Sequence, residues 1–198
     1  NLNHAAETTM PEAGRLFVGA VRDITIADDV EIGPYCILRG RITLGSGTVL
    51  VQTVHLQGPL TMGAGNVCYP GAAIGFAPQD KGFHHAKDGA GTVIGDGNTF
   101  REHSTVHRAT RDDRPTRVGS RNFWMVNAHA GHDVQIGNDC VFANGTMFGG
   151  HAEIADRVVT GGGFTPHGAH NIIEPLALKR PVIVGPEIHT IEYPAVKA

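Results

Sequence analysis

Two short segments of this chain carry residue types that can do chemistry together. Residues 127–133 read NAHAGHD, and residues 149–151 read GGH. If positions 18 apart stand one above the other, His132 aligns with Gly150, Asp133 with His151, and Gly149 with His167. His132, Gly150, His151 and His167 then cluster on one face, over a height of about 10 Å. His129 comes shortly before His132, around a corner. Histidine can act as a general base near neutral pH. Asp133 can orient the His132 ring, provided a corner turns the two neighbouring side chains toward each other. The Gly150 N–H can donate to a developing oxyanion, because glycine lets a substrate approach the backbone. A base, its orienter and an oxyanion donor are the parts needed for acyl transfer to a hydroxyl. The same residues also suit an ordinary solvent-facing coil, so spacing alone leaves both readings open.

A second cluster is basic. Arg101, Arg108, Arg111, Arg114, Arg117 and Arg121 lie close together in the chain and supply six of the sixteen basic residues. In a chain of net charge −3 they make a local positive patch suited to phosphate or to an acidic protein. The competing reading is a solvated loop partly neutralised by Asp112 and Asp113.

These groups need a scaffold that brings every third repeat back to the same face, and the chain has one. Stepping by six from Ile26 gives Ile32, Leu38, Leu44, Leu50, Leu56, Met62, Cys68 and Ile74, all apolar. Medium or small residues recur four places later, at Val30, Cys36, Ile42, Thr48 and Val54. The step resumes through Ile94, Phe100 and Val106, then through Val118, Trp124, Ala130, Ile136, Phe142, Phe148 and Ile154. A helix repeats near 3.6 residues and a half-buried strand at 2, so a period of six fits neither alone. It fits a flat strand, a corner and the next strand, with three such faces closing one triangular turn. The sequence therefore predicts a parallel β-helix from residue 26 to about 160. The phase breaks twice, between Ile74 and Ile94 and between Val106 and Val118. Both breaks are polar or rich in Gly and Pro, and read as loops ejected from the solenoid, where function tends to sit.

Composition agrees. Gly is 27 of 198 residues and charged residues are 18%, which suits a fold with many tight turns. The net negative charge argues against a general nucleic-acid binder. No apolar run reaches the roughly 18 residues of a membrane span. Cys36, Cys68 and Cys140 are too scattered for a disulfide framework, which makes a reducing cytoplasm the default.

The segments IGFAPQDKGF, IGDGNTFREHSTVHRAT, TRVGSRNFWMVNAHAGHD and IGNDCVFANGTMFGGH resemble the acyl-carrier-protein–UDP-N-acetylglucosamine O-acyltransferases of lipid A synthesis, over about residues 20–162. The resemblance implies an all-β, left-handed parallel β-helix with two ejected loops, and a homotrimer with sites between subunits. It implies His132 as general base on the sugar 3-hydroxyl, Asp133 as its support and Gly150 as oxyanion donor. His129, His151 and His167 would contact substrate, and Asp80 of the PQD segment would hold the sugar in a neighbouring subunit's site. Gly82 stands where the family usually has a lysine. Partners would be acyl carrier protein and UDP-N-acetylglucosamine, with no cofactor or metal. Arg111, Arg114 and Arg117 are the candidates, from charge, for contact with the acidic carrier.

The resemblance stops near Gly162, so residues 1–162 are expected to form the β-helical acyltransferase domain. Residues 163–198 are similar instead to a fragment of Kdo transferase, through His170, Asn171, Glu174, Pro175 and the strand-like stretch 181–185. The tail is too short for an independent domain and is expected to be irregular or α/β, with a short helix capped by Asn171 and a strand at 181–184. Two other functions stay open: an inactive or scaffold remnant, and a zinc hydro-lyase of the γ-carbonic-anhydrase type, which shares the fold. Paired zinc ligands in the latter are five apart, whereas the close pairs here are His103/His107, His129/His132 and His167/His170.

Overall fold

The computed structural model describes residues 23–84 and 87–160, with the backbone of two further strands, Phe17–Val18 and Val182–Ile183. All strands are short and parallel, and they stack into three sheets. The first holds Phe17–Val18, Ile37–Arg39, His55–Gln57, Ala73–Phe76, Thr105–His107, His129–Ala130 and Met147–Phe148. The second holds Ile24–Ile26, Ile42–Leu44, Leu60–Met62, Thr92–Ile94, Thr116–Val118, Gln135–Ile136 and Glu153–Ile154. The third holds Glu31–Ile32, Val49–Leu50, Val67–Cys68, Thr99–Phe100, Phe123–Trp124, Val141–Phe142, Val159–Thr160 and Val182–Ile183. The chain visits them in rotation, which makes a left-handed β-helix of triangular section. The solenoid begins earlier than Ile26, because Phe17–Val18 and Ile24–Ile26 already pair with the next coil.

The six-residue step is a burial step. Leu38, Leu44, Leu50, Leu56, Met62, Cys68 and Ile74 are all buried, as are Cys36, Ile42, Thr48 and Val54 four places after the apolar position. Ile26, in an end coil, is 38% exposed. Each coil pairs with the next three repeats on, as in Leu38 with Leu56 and Ala130 with Phe148. The interior of the later coils is aromatic. Phe100 packs on Trp124 at 5.3 Å, Trp124 on Phe142 at 4.7 Å, and Phe142 on Phe148 at 5.0 Å between ring centroids. Another column is polar. Asn66 Oδ1 accepts from the N–H and the amide of Asn98, Asn98 Oδ1 from the N–H of Asn122, and Asn122 Oδ1 from the N–H of Cys140. This ladder satisfies corner backbone groups that the prism buries away from water.

Both phase breaks are ejected loops. An unbroken repeat would set Ala73 beside Gly91, but its partner is Thr105, so the first loop is an addition to its coil. In the same way Thr105 pairs with His129 where an unbroken repeat would offer Phe123, and the second, shorter loop accounts for the difference. Each leaves the first sheet and returns in the second, at the same edge of the prism. On that edge the loops touch. Ala90 N–H donates to Arg111 O at 2.6 Å, and Lys87 pairs with Asp112 at 3.0 Å. Among the described residues there is no α-helix, and no helix is long and apolar enough to cross a membrane. The expected helix in the tail lies outside the described residues. The strand at 181–184 is present as Val182–Ile183, paired with Val159–Thr160.

Candidate functional site

The edge that carries the two loops also carries the histidines. His132 and Asp133 form the corner between the strands His129–Ala130 and Gln135–Ile136, and Gly150 and His151 form the corner one coil on. Asp133 and His151 both have left-handed backbone, with φ of 60° and 64°. That conformation is uncommon for a residue with a side chain. At Asp133 it turns the carboxylate back onto the neighbouring ring, so that His132 Nδ1 lies 2.7 Å from Asp133 Oδ2.

Asp133 is buried and closely held. Its Oδ2 accepts from Thr110 Oγ1 at 2.7 Å, and the Thr110 N–H lies 3.1 Å from Oδ1 and 3.2 Å from Oδ2. Its own N–H donates to Thr116 Oγ1 at 2.8 Å. Burial opposes the charged carboxylate, but the hydrogen bonds from Thr110, His132 and the Arg111 N–H outweigh it and hold the group below the usual carboxylate range. An anionic acceptor fixes Nδ1 of His132 as the protonated nitrogen and leaves Nε2 as the free base.

Gly150 stands against that free nitrogen. A β-carbon on Gly150 would lie 2.6 Å from His132 Cε1 and 2.7 Å from Nε2. Among the described residues no acceptor meets the Gly150 N–H. His151 stacks edge-on against His132, with ring centroids 5.0 Å apart, and its Nδ1 lies 3.9 Å from Asp133 Oδ2. Donor atoms of His132, Asp133 and His151 lie within 4.8 Å of one another, close enough to hold a metal ion.

His129 is on the other side of the corner. Its Nδ1 lies 2.7 Å from Thr105 Oγ1, and its ring meets His107 edge-on at 5.1 Å. Burial lowers the His129 imidazole, and it pushes His107 down to about 4, with help from the charges of His129, His132 and Arg108. Asp80 is exposed on the first loop, where its Oδ1 accepts from the Gly82 N–H at 2.7 Å; it does not join the His132 group in this chain. His167 lies outside the described residues.

Four of the six arginines are matched by acids. Arg101 pairs with Glu102, Arg111 with Asp113, Arg114 with Glu153 and Arg121 with Asp139. Arg108 is 5% exposed and donates to the carbonyls of Gly75 and Lys87. Arg117 is exposed on the second sheet. The basic patch is therefore mostly neutralised locally. Thr110, Thr116, Thr105 and His107 were not legible as part of the site. Thr110 belongs to the recognisable HRAT segment, but it meets Asp133 across the second loop, at a separation the repeat does not suggest.

The sequence and the fold have counterparts among known proteins. Residues 115–150 match the bacterial transferase hexapeptide family (six repeats). The acyl-carrier-protein–UDP-N-acetylglucosamine O-acyltransferase of Thermodesulfovibrio yellowstonii is 38% identical over 132 residues, 66% of this chain and 50% of that protein. Its counterpart in Syntrophobacter fumaroxidans is 44% identical over 126 residues, 63% of this chain and 48% of that protein. The chain thus spans about half the length of the curated relatives it matches. The crystal structure of UDP-N-acetylglucosamine O-acyltransferase from Moraxella catarrhalis superposes with a TM-score of 0.69 at 38% identity, covering 74% of this chain and 56% of that one. LpxA from Acinetobacter baumannii gives 0.68 at 36%, covering 73% and 57%. By repeat, fold and sequence, the β-helical part of this chain is similar to the bacterial hexapeptide transferases and, among them, to the acyl-carrier-protein–UDP-N-acetylglucosamine O-acyltransferases.

Proposed function

We propose that this protein transfers a hydroxyacyl chain from acyl carrier protein to the sugar 3-hydroxyl of UDP-N-acetylglucosamine, the first step of lipid A synthesis. The observation that carries this reading is the His132 ring held between Asp133 Oδ2, at 2.7 Å from Nδ1, and the bare backbone of Gly150 on its Nε2 side. His132 Nε2 takes the proton of the attacking hydroxyl. Asp133 keeps the ring in the required tautomer and stabilises the imidazolium that forms. The Gly150 N–H donates to the oxyanion of the tetrahedral intermediate. Collapse expels the carrier thiolate, which takes the proton back from His132. His129 and His151 contact the substrate, a role that the family resemblance also gives to His167, and Asp80 holds the sugar of a neighbouring subunit's site in a homotrimer. Arg117, exposed and outside the local ion pairs, is the best placed of the three carrier-contact candidates; Arg111 and Arg114 reach the carrier only by leaving Asp113 and Glu153. The cytoplasm, where such carriers work, is the proposed location.

The test is incubation with UDP-N-acetylglucosamine and a hydroxyacyl carrier protein, with mass spectrometry of the sugar nucleotide. An acylated product that falls by about 10²–10⁴-fold in His132→Ala supports the assignment of the base. No product from a folded oligomer points to a scaffold remnant. The zinc hydro-lyase reading draws on the clustered donors of His132, Asp133 and His151. Stoichiometric zinc in the purified protein, with carbon dioxide hydration lost on chelation, would establish it in place of acyl transfer.

A further inference from the structure

We propose that Thr110, on the second ejected loop, is a positioning residue that holds Asp133 in the one orientation serving His132. This rests on the role of His132 as base. The carboxylate has two oxygens and can rotate about its last bond. Thr110 removes that freedom from two directions. Its N–H straddles the oxygens, at 3.1 Å and 3.2 Å, while its hydroxyl donates to Oδ2 at 2.7 Å, the same atom that faces His132 Nδ1. Thr116 fixes the backbone beneath by accepting from the Asp133 N–H.

The second loop is itself braced. The Arg108 N–H donates to Phe76 O at 2.9 Å, and the buried guanidinium donates to Gly75 O at 3.3 Å and Lys87 O at 3.1 Å. Ala109 N–H donates to Gly91 O and Ala90 N–H to Arg111 O. Thr110 therefore sits on a stem clamped to the first loop, and a fixed stem makes a fixed donor.

The charged and titratable groups around Asp133 are His132, His151 at 3.9 Å and Arg111, whose guanidinium is engaged by Asp113. None of these replaces the Thr110 hydroxyl on the carboxylate. Without that hydroxyl one of the bonds that offset burial is gone, protonation of Asp133 becomes easier, and His132 loses its anionic acceptor at a higher pH than in the native protein.

The experiment compares Thr110→Val, which keeps shape and N–H but removes the hydroxyl, with Thr110→Ser, which keeps the hydroxyl. Two quantities are read on the full chain: the pH profile of kcat with UDP-N-acetylglucosamine and hydroxyacyl carrier protein, and the titration of the Asp133 carboxyl by ¹³C NMR. In Thr110→Val, kcat falls by about tenfold and the acid limb moves to higher pH, as expected for loss of a hydrogen bond to a charged group. The carboxyl titration moves the same way, and Thr110→Ser restores both. The NMR titration needs no turnover, so it tests the positioning role even if the acyltransferase reading fails. An unmoved carboxyl titration in Thr110→Val overturns the proposal, as does a Thr110→Ser variant that behaves like Thr110→Val.

Discussion

Gly150 and His132 meet more closely than any residue with a side chain would allow. A β-carbon at position 150 would stand 2.6 Å from Cε1 and 2.7 Å from Nε2 of the ring. The backbone at Gly150 is not in the left-handed region, so glycine is needed here for approach rather than for conformation.

Gly150→Ala is therefore expected to move the His132 ring while leaving the coil folded. A displacement of about 1 Å at a catalytic group can cost about 10²-fold in rate. Comparing kcat with the thermal midpoint checks this. A variant that keeps full kcat would show that the ring position is not critical.

The pH dependence of stability should carry the mark of His107. Its folded pKa is depressed to about 4 from the ordinary 6.5, so the unfolded chain binds the proton more readily between those values. Stability from this group is complete above the unfolded value and is lost as pH falls toward the folded one. After discounting for solvent screening, the loss is on the order of 1–2 kcal/mol. Urea unfolding at pH 7 and pH 4.5 measures it, and His107→Gln should flatten the difference. An equally steep loss in that variant would assign the effect elsewhere.

The aromatic interior gives a third expectation. Trp124 is fully buried between Phe100 and Phe142. Trp124→Ala should destabilise by about 3–5 kcal/mol through lost contact and the cavity left behind. Trp124→Phe should cost clearly less, because the indole N–H has no partner among the described residues and nothing polar is orphaned by removing it. Chemical denaturation of both variants would decide this, and equal losses would contradict it.

Much of this was legible because a β-helix turns spacing directly into geometry. Leu38, Leu44 and Leu50 each point inward from a different face, so a burial requirement recurs at every hexapeptide and the period is the fold. The same pitch placed Asp133 over His151, and would also have paired Arg121 with Asp139, one coil on. The pitch failed wherever a contact crossed an ejected loop. Thr110 reaches Asp133 and Arg114 reaches Glu153 at separations that are not multiples of the repeat, so neither contact belongs to the ladder. The orientation of Asp133 was also hidden, since adjacent side chains normally diverge and only the left-handed corner brings this pair together.

Both insertions leave the prism at one edge, and apart from a shift between Ile74 and Phe76, where the first loop departs, the strands on either side keep their register across them. An edge that takes in a long loop in one coil and a short one in the next, without disturbing two other faces, separates two kinds of change. Residues along that edge can be lengthened, shortened or replaced to suit a new molecule, while the packing that keeps the chain folded goes on untouched behind them. For an engineer it is a grafting position with a rigid mount, and for a lineage it is a place to explore chemistry at little risk to the scaffold.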